Sequence, residues 1–288
     1  MEARFGPAGQ CDEARAQKMK TTLQYLDFIK EQGLSAFEYQ CGRGVMIRED
    51  TARLVGDKAK KLHIALSVHA PYYISLASLE EDKRIKSVNA YILDSARAVD
   101  WMGGDRIVVH PGGLNKRSRE EALAVAQDTL RMAQQVLDEN GLAHIHICPE
   151  TMGKVSQLGD LGEVIAMCRE QERFFPCIDF GHMNARTQGG MRKKEHFSAL
   201  LDRLQQELGW ERVSRMHVHF SKIEYAAAGE VRHLTFSDTR YGPDYEPLME
   251  LFAQRGMSPT VICESAGTQC ADAMSMQAYY RAQRGRWN

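Results

Sequence analysis

The sequence predicts an α/β protein, a single domain over residues 1–288 folded as a closed (β/α)8 TIM barrel with a metal site at the C-terminal ends of its strands. Three observations predict it. Short β-rich runs recur eight times, each followed by a longer stretch of helical periodicity. Histidines and carboxylates close most of those runs. A length of 288 residues at 43% hydrophobic content allows one large core, and barrels commonly use this length as one domain. A doubly wound open sheet is the alternative, but it gathers its site at one switch point, not along most of its strands.

The strands are expected over 3–6, 35–40, 62–69, 105–110, 143–149, 174–179, 213–219 and 259–264. The helices are expected over 14–32, 50–61, 80–102, 118–139, 157–171, 192–208, 244–256 and 269–283. In the third helix, Ile85, Val88, Ile92, Ala96 and Val99 recur at three- and four-residue steps and make one apolar face. Asn140-Gly141 and Gly209 stand where helices end, as left-handed caps require. No domain linker, internal repeat or low-complexity tract interrupts the alternation.

Composition narrows the function. A net charge of −1 and a pI near 6.8 argue against a strongly basic nucleic-acid coat, while leaving room for a local basic rim. Seven cysteines (11, 41, 148, 168, 177, 263 and 270), an odd number with no CxxC pair, read as free thiols in a reducing cytoplasm. No apolar stretch reaches the length of a membrane span, and the first residues lack the positive-then-apolar layout expected of a signal peptide. The 14 methionines read as core filler.

The ends of the hydrophobic runs carry the chemistry. His69 closes LHIALSVH, His110 closes RIVVH, Glu150 closes HIHICPE, and Asp179 and His182 close FFPCIDFGH. His217 and His219 close VSRMHVH, Glu264 closes TVICE, and His233 lies in the long loop after His219. In a parallel barrel such residues project onto one rim. A lone histidine at a strand end is more often a hydrogen-bonded structural residue than a ligand, so the weight lies in the ensemble. Prolines just beyond His69 and His110 break those strands and leave both side chains at the rim. Glu150 and Glu264 end apolar runs, where a bare carboxylate is costly without a cation. Asp179 and His182 flank a tight turn that can bring both to one centre or to two adjacent ones. His217 and His219 point to the same side of a strand, and one of the two can be core packing. Four such groups hold one metal, so about nine imply two or three ions. Nitrogen and oxygen donors without cysteine suit zinc, manganese or iron. His63, His144, His146 and His196 fall away from this rim and are assigned to structure or surface.

The segments VHAPYYISLAS, VVHPGG, PETMGK, CIDFGHMNA, MHVHFSK and ICES, in that order, resemble the endonuclease IV family, the family 2 apurinic/apyrimidinic endonucleases within the xylose-isomerase-like barrels. They run from His69 to Glu264, about two-thirds of the chain. The resemblance implies a trinuclear zinc centre that cuts DNA 5′ to abasic sites, in a monomer. Carried over, His69, His110 and Glu150 hold one zinc; Asp179, His217 and Glu264 hold a second, with Glu150 bridging; His182 and His233 belong to a third. Glu150 orients the attacking water and Glu264 joins it as a catalytic carboxylate. The family places an aspartate two residues before the last histidine, where this chain has Val231; Glu230 and His219 are the candidates to replace it.

The DNA side departs further. The family's first strand carries a histidine, whereas this one reads ARFGPAG, and the loop after the second strand, QCGRG, offers only Arg43. Tyr72 matches a family residue that probes DNA near the lesion. Arg43, Lys116, Arg117, Lys154, Arg186, Lys222 and Arg232 lie in strand-to-helix loops on the metal face and suit an anionic substrate, with Arg43, Lys222 and Tyr72 the leading contacts. The rival reading keeps the barrel and changes the chemistry: a sugar isomerase or epimerase needs one divalent ion and a carboxylate base, served by Glu150 and Glu264 across one manganese with Asp179 and His217.

Overall fold

The β-branched runs form parallel strands, and the computed structural model describes residues 2–286. In chain order the barrel strands are β1 (Arg4–Pro7), β2 (Ala36–Gln40), β3 (Ala65–His69), β4 (Arg106–Val109), β5 (His146–Pro149), β6 (Cys177–Asp179) and β7 (His217–Phe220), completed by β10 (Thr260–Cys263). They lie in two four-stranded sheets, ordered β1-β10-β7-β6 and β2-β3-β4-β5. Parallel bridges from Ala8 to Glu38 and from Glu150 to Cys177 join the sheets at both edges, so the strands form a ring. An open doubly wound sheet has no such second seam.

The helices are α1 (Asp12–Ala16), α2 (Thr22–Glu31), α3 (Glu49–Leu62), α4 (Glu81–Lys86), α5 (Leu93–Trp101), α6 (Arg119–Glu139), α7 (Leu161–Arg169), α8 (Phe180–Arg186), α9 (Lys194–Leu208), α10 (Trp210–Ser214), α11 (Glu246–Gln254) and α12 (Gln269–Arg284). Where they depart from the expected spans, local chemistry explains it. The helix expected over 14–32 breaks in two: Lys18 adopts φ 57, and Thr21 starts α2 with a capping box to Gln24. The strand expected from 62 begins only at Ala65, because Leu62 closes α3 and His63 takes a left-handed cap at φ 58. Val213, expected in a strand, lies in the short helix α10. Between α4 and α5 the helix widens into a π-turn over Ser87–Ile92. Val88, Ile92, Ala96 and Val99 are buried as expected, but Ile85, two residues ahead of the widened segment, is 39% exposed. The extra residue per turn rotates it off the apolar face.

Two elements were not foreseen. The turn after Asp179 is the helix α8, and the loop after His219 holds an antiparallel hairpin, β8 (Lys222–Ala226) and β9 (Gly229–Leu234). Gly141 and Gly209 do take positive φ at helix ends. The seven cysteines are free and buried. Met102, Met167, Met216, Met249, Met257 and Met276 fill the core, whereas Met46 is 85% exposed. Among the described residues no helix is long and apolar enough to cross a membrane.

The barrel wall is tightest at Gly6, where an added Cβ would lie 1.7 Å from the carbonyl oxygen of Ala36. No rotamer relieves a clash with backbone. Gly6→Ala should therefore destabilise the protein by about 3 kcal/mol, at the upper end of ordinary overpacking, measured by denaturant unfolding.

Candidate metal centre

The strand ends and the β8–β9 hairpin bring together five sets of possible ligand atoms; two of them, His69 with His219 and Glu264, and Cys177 with His217 and His219, share members with the three that line the mouth. His69, His110 and Glu150 form the first; Glu150, Asp179, His219 and Glu264 form the second; His182, Glu230 and His233 form the third. Within each group one donor atom per residue lies within 4.8 Å of the others. The fit to a metal rests on the side chains themselves.

Glu150 joins the first two groups. Its Oε2 lies 2.9 Å from His110 Nε2 and 3.4 Å from His69 Nε2, while its Oε1 lies 3.0 Å from His219 Nδ1. One carboxylate oxygen thus faces each group, the arrangement of a bridging ligand. Glu150 Oε2 and Asp179 Oδ2 are buried without a hydrogen-bond partner among the described residues. Two such orphaned anionic oxygens facing imidazole nitrogens are expensive unless a cation lies between them. The donor set, nitrogen and carboxylate oxygen, fits a divalent metal of the zinc, manganese or iron type.

Local structure fixes each ligand. Asp179 caps α8, its Oδ1 accepting from the His182 backbone N–H at 2.7 Å, which leaves Oδ2 free for the centre. A carbonyl oxygen can only accept, so His69 Nδ1 donates to Ala70 and His182 Nδ1 donates to Thr151, at 2.8 and 2.9 Å. Both histidines therefore present Nε2 to the site. His233 Nδ1 bonds Ser221 Oγ at 2.8 Å and likewise turns Nε2 inward. In the third group, Glu230 Oε2 is 3.3 Å from His182 Nε2. Gly153 makes that approach possible, since a Cβ there would meet Glu230 Cβ at 2.6 Å.

A β-bulge explains how Glu230 reaches the site. Tyr225 pairs with Glu230 and Glu224 with Arg232, so Val231 is the extra residue of β9. In an unbroken strand, residues three apart face opposite sides; the extra residue returns Glu230 and His233 to one side. Val231 is 53% exposed and points away.

His217 departs from expectation. It sits one layer below the mouth, and the histidine grouped with Glu150, Asp179 and Glu264 is His219. His217 Nε2 donates instead to Glu38 Oε2 at 2.8 Å. Glu38, on β2 and wholly buried, is the functional candidate that sequence reasoning missed. It also accepts from Ser67 Oγ at 2.9 Å and from Gln40 Nε2 at 3.1 Å, and its Oε1 lies 3.0 Å from His219 Nε2. The signal was available: Glu38 is a single carboxylate inside the run AFEYQ, open to the desolvation argument already applied to Glu150.

The electrostatics are those of a site prepared for cations. Burial works against the charge of Glu38, but His219 and His217 hold it well below the usual carboxylate range. Glu150 is similarly held low against burial by His219 and His110. Burial pushes His217 down to about 4, which keeps it neutral. His69 goes the other way: burial opposes its charge, yet the Glu150 carboxylate outweighs burial and raises it to about 9. That raised value stabilises the metal-free fold fully below pH 6.5, and the contribution is lost as pH rises through 9. A metal must displace the same proton. Burial opposes charge on His182 and His219 as well, yet the Asp179 and Glu150 carboxylates hold His182 well above its ordinary range, and the Glu264, Glu38 and Glu150 carboxylates do the same for His219. Zinc affinity should accordingly rise by at least about tenfold per pH unit in chelator competition from pH 6.5 to 9.5.

The basic rim is thinner than the sequence promised. Lys222, expected as a substrate contact, is buried, with Nζ on the Asp238 carbonyl at 2.7 Å and on Asp244 at 3.0 Å. Arg186 bonds the Met152 and Lys154 carbonyls, Arg117 the Ala77 carbonyl, and Arg232 pairs with Glu224. Arg43, Lys116 and Lys154 are exposed and carry no ion pair among the described residues. Tyr72 is half-exposed, its ring 4.9 Å from that of Tyr73. His144 pairs with Asp100, His146 bonds the Arg173 carbonyl and His196 accepts at the start of α9, all away from the mouth.

Comparison with known proteins places this geometry in a family. A family model described as a xylose isomerase-like TIM barrel matches residues 26–283. An uncharacterized protein of Methanocaldococcus jannaschii is 32% identical over 277 residues, covering 96% of each chain. A probable endonuclease 4 of Malacoplasma penetrans is 28% identical over 208 residues, 68% of this chain and 66% of its own. Among solved structures, a D-tagatose 3-epimerase-like protein superposes with a TM-score of 0.73 at 18% identity, covering 98% of both chains; at that identity the likeness speaks for the fold alone.

Proposed function

This chain belongs to the xylose isomerase-like TIM barrel family, and on that premise we propose that it is a metal-dependent phosphodiesterase of the endonuclease IV type that cleaves DNA 5′ to abasic sites. One observation carries the reading: two further ligand groups flank the central one, and Glu150 is shared between the first and the second. A proton transfer on a sugar needs one ion and a base, whereas phosphodiester hydrolysis uses several cations around one phosphate. In this reading zinc is the metal and damaged DNA the partner, with the protein acting as a monomer.

Divalent ions held by these groups would activate water near neutral pH and offset the charge building on the phosphate oxygens. The chain's own residues do the rest. Glu150, with one oxygen toward each of two groups, sets their separation and orients the attacking water between them. Glu264, the more open carboxylate at 15% side-chain exposure, lies at the mouth, its Oε2 3.6 Å from His219 Nδ1, where it can take the water's proton. His182, Glu230 and His233 form the remaining group beside Glu150 and would support the leaving oxygen. Exposed Tyr72 and Tyr73 offer flat faces for a displaced base or sugar.

The epimerase reading has one observation in its favour, the scarcity of free rim cations. The test is incision of a duplex oligonucleotide bearing one abasic-site analogue by zinc-loaded protein, with Glu264→Gln as control. Incision 5′ to the analogue by the parent alone supports the nuclease, and its absence in metal-replete protein turns the assignment toward sugar substrates. With three free rim cations, the binding constant should fall with salt at a log–log slope of only about −3.

A further inference from the structure

The two histidines of β7 share a strand face, yet they lie at different depths, and one buried carboxylate touches both. Glu38 receives His217 Nε2 and Ser67 Oγ on Oε2, at 2.8 and 2.9 Å. On Oε1 it receives Gln40 Nε2 at 3.1 Å and faces His219 Nε2 at 3.0 Å, off the line of an ideal hydrogen bond. Glu38, His217 and His219 are all fully buried. A carboxylate is costly at this depth, and three donors converging on it, with the His219 ring beside them, make its charge tolerable.

We propose that Glu38 is a positioning residue of the metal centre, which selects His219 over His217 as the ligand from β7. The choice turns on tautomers. Nδ1 is the only nitrogen of His219 directed at Glu150 and Glu264, at 3.0 and 3.6 Å. In the structure Nδ1 donates to Glu150 Oε1 at 3.0 Å. To coordinate through Nδ1 the ring must give up that proton and keep one on Nε2, and the Glu38 oxygen 3.0 Å from Nε2 is the acceptor at hand for it. The same carboxylate takes the proton of His217 Nε2 and so anchors that ring below the mouth. Its other nitrogen, Nδ1, is buried without a hydrogen-bond partner among the described residues, and His217 shares a possible ligand set with Cys177 and His219 but with no carboxylate of the mouth. Neither role requires Glu38 to touch an ion.

This inference rests on the metal-centre part of the functional reading, not on the choice between DNA and sugar as substrate. The experiment uses the full chain, stripped of metal and titrated with zinc against a chromophoric chelator. Glu38→Gln, which keeps size but puts a donor where an acceptor stood, should weaken one zinc-binding step by about 10- to 100-fold and leave the others in place. Glu38→Asp should recover part of that loss. In the zinc-loaded parent, long-range proton–nitrogen NMR should show His219 protonated on Nε2 and bound through Nδ1. The inference is overturned if Glu38→Gln binds every zinc as the parent does, if His219 is bound through Nε2, or if His217 is the coordinated ring. Should Glu38→Gln fail to fold, the NMR of the parent decides alone, and Ser67→Ala, which removes one donor from Glu38, should reproduce a smaller loss. A parent that binds zinc through His219 but incises no DNA would sink the nuclease reading and leave this one standing.

Discussion

Replacing Glu150 with glutamine should empty two ligand groups at once and reduce phosphodiester cleavage by about 10⁴-fold or more. The magnitude follows from position. Removing a single stabiliser of transition-state charge costs about 10²–10³ in rate, and Glu150 serves two groups whose losses multiply. Its oxygens lie 2.9 Å from His110 and 3.0 Å from His219, on opposite sides of the carboxyl. The amide keeps the shape but loses the charge, and one of its two arms turns from acceptor to donor against a histidine nitrogen. Zinc content by mass spectrometry should fall by up to two ions per chain, with the third group still occupied. Retention of the full complement, with cleavage within tenfold of the parent, would show that Glu150 does not bridge.

How much of this centre could be read from the chain depends on what kind of signal each part left. The barrel was legible because its strands bury both faces and end on polar residues, so a hydrophobic run followed by His or Glu marks both a strand and its mouth. His69, His110, Glu150, Asp179 and Glu264 stand at those ends and come together as the pattern implied. Depth inside the barrel was not legible. His217 and His219 have the same parity, and only the register of β7 against β6 and β10, Cys177 and Thr260 beside His217 but Asp179 and Ile262 beside His219, separates rim from interior. Glu38 was hidden for the same reason: its partners on β3 and β7 are 29 and 179 residues away in sequence. Lys222 and Arg186 failed as rim cations because a charged residue in a loop leaves no trace of the carbonyls that will occupy it. The hairpin β8–β9 reads as a loop in sequence because its strands, KIEYA and GEVRHL, are short and half-polar.

The bulge in that hairpin leads to the second large effect. Aligned by sequence alone, Val231 stands where an acidic ligand belongs, and the obvious repair is Val231→Asp. That substitution should do nothing for the third group, because Val231 is 53% exposed on the outer side of the bulge. Glu230→Ala, by contrast, removes the only carboxylate of that group and should cost one bound ion and about 10²–10³ in cleavage rate, or some 3–4 kcal/mol of transition-state stabilisation. The double variant Glu230→Ala, Val231→Asp should be as impaired as Glu230→Ala alone. Zinc stoichiometry and single-turnover incision would be measured side by side. Recovery in the double variant would mean that β9 can slip by one residue to a regular register, with residue 231 facing the site two positions before His233. Without recovery, three-residue spacing plus a bulge is this chain's equivalent of two-residue spacing in a regular strand. The physical requirement is that the carboxylate and His233 share a side of the strand, and a one-residue insertion meets it as well as an aspartate at 231 would in an unbulged strand.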